Sequence, residues 1–164
     1  MATLDEAAAY LAGLINVERS PDYRRARLSL EPIRCLLDRL GLAHAGLSVI
    51  HIAGSKGKGS TAFLEEGLLR AHVLRVGTFT SPHLESWTER FRIDGEEVAG
   101  EKLAEVVERL RPEVDALREE RPEDSPSFFD ATTAAALVLF AEIGVDHAIL
   151  EVGLGGRLDS TNIG

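Results

Sequence analysis

One stretch constrains the fold more than any other. The apolar run Leu47-Ser48-Val49-Ile50-His51-Ile52-Ala53 leads into Gly54-Ser55-Lys56-Gly57-Lys58-Gly59-Ser60-Thr61, after which a helical pattern resumes through Ala62, Phe63, Glu66 and Leu69. An apolar run on both faces reads as a strand placed centrally in a sheet. The glycines let consecutive backbone N–H groups converge on an anion with no Cβ in the way. A helix that starts there adds unpaired N–H groups and the positive end of its dipole. Lys58 is placed to neutralise the outer phosphates of a nucleotide, and Ser60 or Thr61 to reach a magnesium ion. The pattern is not a strict Walker sequence, because Ile52 stands where its first glycine belongs and Gly59 separates Lys58 from the first hydroxyl. The plain alternative is a flexible surface loop. Three glycines in six residues between a buried-type strand and a helix favour phosphate binding.

The rest of the chain supplies the partners of such a unit. Thr3 and Glu6 form a capping-box pattern ahead of Leu4, Ala8, Leu11 and Ile15, and a second helical stripe runs through Leu30, Ile33, Leu37 and Leu40 to Gly41. Val73 to Phe79 reads as a strand, and the Asp94-Gly95 turn between short alternating runs as a small hairpin. An amphipathic helix follows through Leu103, Val107, Leu110 and Leu117, with Pro112 placed to kink or split it. Residues 119–127 read as a loop; Ser127 and Asp130 then cap an Ala- and Leu-rich helix that ends at Gly144. His147 to Val152 is a third strand. The expected fold is α/β: a partial P-loop-type open parallel sheet with flanking helices and a small hairpin, preceded by two N-terminal helices. Three parallel strands are few for a doubly wound sheet, so a piece of a longer protein is expected.

Two further segments belong at the carboxyl edge of that sheet, where open α/β folds bind ligands. Glu151 ends the third strand and offers the hard oxygen that magnesium requires. On its own an acid there marks where a strand meets solvent; beside a phosphate loop a metal ligand is the better reading. Thr80-Ser81-Pro82-His83 follows the second strand and reads alone as a proline turn. Gly153-Leu154-Gly155-Gly156-Arg157-Leu158-Asp159-Ser160-Thr161-Asn162 reads as a substrate-contacting loop. His51 is expected to be a hydrogen-bonded structural histidine. Cys35, the only cysteine, is expected in the core and excludes an internal disulfide. A net charge of −9 argues against nucleic acid as partner. No basic-then-apolar leader and no run near the ~20 residues of a membrane span is present, so a cytoplasmic protein off the membrane is expected.

Together, His51 to Thr61, Thr80 to Leu84, Ser127-Phe128-Phe129-Asp130 and Glu151 to Asn162 resemble the folylpolyglutamate synthase/dihydrofolate synthase branch of the Mur-ligase-like ATP-dependent ligases, in order and spacing and over nearly the whole chain. The resemblance implies ATP and Mg2+ as cofactors, and folate or dihydropteroate with L-glutamate as substrates of a monomeric enzyme. The substrate carboxylate is phosphorylated to an acyl phosphate, and the glutamate amine displaces the phosphate. It implies catalytic roles for Lys58 and Glu151, and ATP phosphate binding by Gly54, Ser55, Lys56, Gly57, Lys58, Gly59, Ser60 and Thr61. Magnesium binding falls to Ser60, Ser81 and Glu151, and pterin binding to Phe129, Asp159, Ser160 and His83. The segment from Glu85 to Arg92 matches a mobile loop over the site.

The chain departs from the family pattern at Ser55-Lys56, where Thr-Asn is more usual, and at Asp130, where Glu is usual and the shorter acid is expected to serve mainly as a cap. The resemblance makes residues 1–164 the N-terminal part of the ATP-binding domain, with the rest of that domain and a C-terminal glutamate-binding domain absent. Turnover by the chain alone is then not expected. Two other readings stand beside it: a non-catalytic P-loop nucleotide-binding module, and an unstable truncation product.

Overall fold

Alternation along one strand sets the architecture. In the computed structural model, which describes residues 3–16, 28–42 and 46–163, the strand His147–Glu151 sends Ala148 and Leu150 into one apolar cluster and Ile149 into another. Successive side chains leave opposite faces of a strand, so this strand carries a helical layer on each side. The elements, in chain order, are α1 (Leu4–Ala12), α2 (Glu31–Arg39), β1 (Ser48–Ile52), α3 (Lys58–Ala71), β2 (Val76–Phe79), β3 (Phe91–Ile93), β4 (Glu96–Glu97), α4 (Gly100–Glu120), α5 (Phe128–Ile143) and β5 (His147–Glu151). The sheet order is β1-β5-β2-β3-β4. β5 pairs in parallel with both β1 and β2, while β3 and β4 add on antiparallel.

The two layers are unequal. One face carries α1, α2, α4 and α5 over the large core, including Leu36, Leu103, Leu110, Phe79, Phe140 and Leu150. The other face carries α3, over a small cluster of Ala62, Val76 and Ile149. Caps agree with the sequence: Thr3–Glu6 and Ser127–Asp130 both form capping boxes, and α5 stops at Gly144 with φ +69°.

Three expectations change. β1 is an edge strand among the described residues and is half exposed; of the three parallel strands β5 is the central one, with a parallel neighbour on each side, while β2 stands at the midpoint of the whole order. The hairpin forms as read and extends the sheet beyond β2. α4 runs through Pro112 without a break. Cys35 is half-buried rather than in the core, its Sγ accepting a hydrogen bond from Arg121 Nη1 at 2.7 Å. Among the described residues no helix is long and apolar enough to cross a membrane.

Gly77 of β2 lies flat under Phe140 of α5, and a Cβ there would sit 2.5–2.7 Å from three ring atoms. Gly77→Ala is therefore expected to cost about 2 kcal/mol through overpacking. Gly67, in the interior of α3 with nothing within 4 Å of a Cβ, is the counterpart. Gly67→Ala is expected to add about 0.8 kcal/mol through helix propensity. Chemical denaturation of both variants measures the two opposite signs.

Candidate functional site

The turn between β1 and α3 is open to solvent at Gly54, Ser55, Lys56 and Gly57, and Lys58 begins the helix half-buried. Gly57 holds φ +73° as the residue before α3 and offers no side-chain cap, so the first helical N–H groups are left for a ligand. Thr61 turns its hydroxyl back to donate to Gly57 O at 2.9 Å and so braces the loop from below. Ser60, one residue earlier, is exposed.

Glu151 closes this turn from the sheet. It ends the central strand, is 6% exposed, and accepts the Ser81 N–H through Oε2 at 3.0 Å. Both carboxylate oxygens lie 3.7 Å from the position a Cβ would take at Gly59. A side chain at 59 would be in ordinary van der Waals contact with the carboxylate, so Gly59 places the phosphate loop directly beside Glu151. Lys58, Gly59, Ser81 and Glu151 thus meet at the carboxyl ends of β1, β5 and β2. Ser81 makes its contact with Glu151 through the backbone N–H.

A cavity of about 360 Å³ opens beside this point, with Lys58, Ser81, Phe129, Asp130, Asp159 and Ser160 on its walls. Phe129 lies against Gly153 so closely that a Cβ there would come within 2.7 Å of the ring. Asp159 is 4% exposed and folds its own loop: Oδ2 accepts Leu154 N–H at 2.7 Å and Oδ1 accepts Thr161 N–H at 3.1 Å. Burial pushes the Asp130 carboxyl above the usual range, against the lowering effect of hydrogen bonds from Ser127 and Ser160. Besides its cap, Asp130 accepts a bond from Ser160. His51 is the structural histidine expected, with Nε2 2.8 Å from Thr161 Oγ1.

His83 stands apart from these residues. It lines a neighbouring cavity with Trp87, Arg90 and Phe128, and its Nδ1 accepts from Arg90 Nε at 2.7 Å. Pro82 forms a wall of both cavities. Sequence reasoning missed the apolar walls of the first cavity at Ile15, Leu28 and Pro122. Isolated apolar residues from three distant segments carry no local signal.

The segment from Glu85 to Arg92 contains a single 3-10 turn, Trp87–Arg90, with Trp87 and Arg90 buried. The Glu89 carboxylate accepts backbone N–H bonds from Leu84 at 2.8 Å, Glu85 at 2.8 Å and Ser86 at 2.6 Å. These bonds hold its carboxyl down at about 2.

No family model matches the chain. It is 36% identical over 150 residues to the dihydrofolate synthase/folylpolyglutamate synthase of Bacillus subtilis, covering 88% of this chain and 35% of that protein. It is 42% identical over 144 residues to a probable bifunctional folylpolyglutamate synthase/dihydropteroate synthase of Haloferax volcanii, covering 86% of this chain and 17% of that protein. The crystal structure of folylpolyglutamate synthase from Thermotoga maritima superposes with a TM-score of 0.85 at 39% identity, over 98% of this chain and 35% of that one. The Mycobacterium tuberculosis folylpolyglutamate synthase complexed with ADP gives 0.85 at 34% identity, over 97% of this chain and 34% of that one. The chain therefore spans about a third or less of the length of these relatives.

Glu89 generates a pH prediction. Its pKa is lower in the fold than the ordinary 4.5, so its stabilising contribution is complete above about 4.5 and is lost as pH falls toward about 2. Fluorescence of Trp87, the single tryptophan, should report release of the turn across that window. Glu89→Gln should remove this transition while leaving the spectrum flat between the two values.

Proposed function

The chain belongs to the folylpolyglutamate synthase/dihydrofolate synthase family, and from that premise we propose that it carries the phosphate-binding and pterin-binding half of an ATP-dependent ligase. The observation that carries this reading is the Glu151 carboxylate, which faces the glycine-rich turn at Gly59 and accepts the Ser81 N–H. In the proposed reaction, ATP transfers its outer phosphoryl group to the carboxylate of dihydropteroate or folate. The amine of L-glutamate then attacks the acyl phosphate, forming the amide and expelling phosphate.

Most of the catalytic task in such a transfer is the handling of negative charge. Lys58 and the N–H groups of residues 54–60 cradle the phosphates, with Lys56 adding a second cation at the loop; Thr61 donates both its N–H and its hydroxyl to Gly57 O and braces that loop. Glu151, with Ser60 and Ser81, is proposed to hold Mg2+. The donor set suits it: one buried carboxylate and two hydroxyls are hard oxygen donors. Magnesium commonly takes one or two protein carboxylates and fills its remaining positions with phosphate oxygens and water. When bound, it would neutralise charge on the transferred group. Phe129 stacks on the pterin ring, Asp159 and Ser160 supply hydrogen bonds, and His83 is proposed to reach the substrate from the neighbouring cavity across Pro82.

We read residues 1–164 as the N-terminal part of the Mur-ligase-like ATP-binding domain. The open outer edge of β1 supports this reading, as do Leu64 and Leu68 of α3, which are 71% and 60% exposed. A further strand and helix would cover them, and a glutamate-binding domain would follow. A cytoplasmic monomer acting on small molecules fits the acidic charge and the single, half-buried cysteine.

The decisive measurement is calorimetric binding of Mg-ATP and of folate to the 164-residue chain. Both should bind. Lys58→Ala should weaken the nucleotide at least tenfold, and Glu151→Gln should remove the dependence of nucleotide affinity on Mg2+. Phosphate release in the presence of ATP, folate and glutamate should stay at background. Nucleotide binding without folate binding would instead favour a non-catalytic nucleotide module. Absence of both would reject the proposal.

A further inference from the structure

Asp130 makes more bonds than a helix cap requires. It sits in the first turn of α5, directly after Phe129, and is 6% exposed. Oδ2 completes the capping box, accepting Ser127 N–H at 2.8 Å and Ser127 Oγ–H at 2.6 Å. Oδ1 points elsewhere and accepts Ser160 Oγ–H at 2.6 Å, thirty residues along the chain. One carboxylate therefore joins the helix that presents Phe129 to the loop that presents Asp159 and Ser160.

That loop is anchored again on its far side. Asp159 Oδ1 accepts the Thr161 hydroxyl, and Thr161 Oγ1 lies 2.8 Å from His51 Nε2 on β1. The loop is thus hung between α5 and β1, with Asp130 as its fastening on the cavity side. Phe129 adds a steric limit, since its ring already touches Gly153. The wall-to-wall spacing of the cavity depends on the Asp130–Ser160 bond, because no other hydrogen bond among the described residues links α5 to residues 153–163. A buried carboxylate of this kind must keep its donors, as an unsatisfied one is costly.

We propose that Asp130 is a positioning residue: its bond to Ser160 sets the gap between Phe129 and Asp159, and so selects a flat bicyclic ring for the cavity. This rests on the pterin-binding reading above. Beyond burial, the charge of Asp159 acts on Asp130 and raises its pKa further. Lys58, Glu123 and Asp124 also line the cavity.

Three variants of the full chain separate positioning from mere helix stability. Asp130→Ala removes both the cap and the tether. Asp130→Asn keeps an acceptor for Ser127 and offers an amide N–H to Ser160 Oγ. Gly144→Ala strains the left-handed residue that ends α5, far from the cavity. Folate affinity by calorimetry should fall about tenfold in Asp130→Ala. It should stay within about threefold of the parent in Asp130→Asn, and within about twofold in Gly144→Ala although its melting temperature drops.

Amide hydrogen exchange at Leu154 and Thr161 should speed up in Asp130→Ala alone. Mg-ATP affinity should be unchanged throughout. Equal loss of folate affinity in Asp130→Ala and Gly144→Ala would reduce Asp130 to a cap and overturn the proposal, as would unchanged exchange at Leu154 and Thr161. If the parent chain bound no folate, the pterin-binding reading would fail, while the exchange measurement would still test the tether.

Discussion

A single carboxylate at the end of the central strand organises the carboxyl edge of the sheet. Glu151 faces the glycine-rich turn at Gly59 and receives the N–H of Ser81, so the starts of three separate loops converge around it. The convergence is possible because β5 lies between β1 and β2 and runs parallel to both. Parallel strands deliver all their following loops to one edge, which is where open α/β sheets bind ligands. Moving β5 to an outer position would separate the carboxylate from one of its two neighbours.

The site is preorganised by bonds that spend polar groups on geometry. Thr61 braces the phosphate loop from below, Asp159 closes its own loop, and Glu89 gathers three backbone N–H groups beside Trp87. Each is a local hydrogen bond to a loop that has no helix or sheet ladder to hold it. Asp130 differs because its second oxygen reaches across the cavity. The result is a pocket with hydrogen-bonded walls next to a glycine-rich turn left open to solvent.

The two faces of the sheet tell a further story. The larger core lies under four helices and contains the big aliphatic and aromatic side chains, whereas α3 covers a cluster of three buried residues. β1 correspondingly sits with one edge unpaired among the described residues, and its apolar residues are half exposed. Its sequence carries the pattern of an interior strand, as Val49, Ile50 and Ile52 show. The mismatch between pattern and burial is the strongest structural support for an incomplete domain, and it agrees with relatives about three times as long or more.

What the sequence determined by itself was local and periodic. The phosphate loop, both capping boxes, the order of strands and helices, and Glu151 at a strand end all follow from patterns within a dozen residues. Hydrophobic period, turn glycines and caps are short-range signals and need no partner elsewhere in the chain. The resemblance to a family added an expectation of which residues work together. Only the tertiary structure decided that β5 is central, that the hairpin joins the sheet, and that His83 faces a cavity other than the one lined by Phe129. It alone showed Ser81 meeting Glu151 through its backbone, and Asp130 joined to Ser160. Those facts depend on strand order and on contacts thirty to seventy residues apart, and no local pattern encodes which distant segment will lie next door.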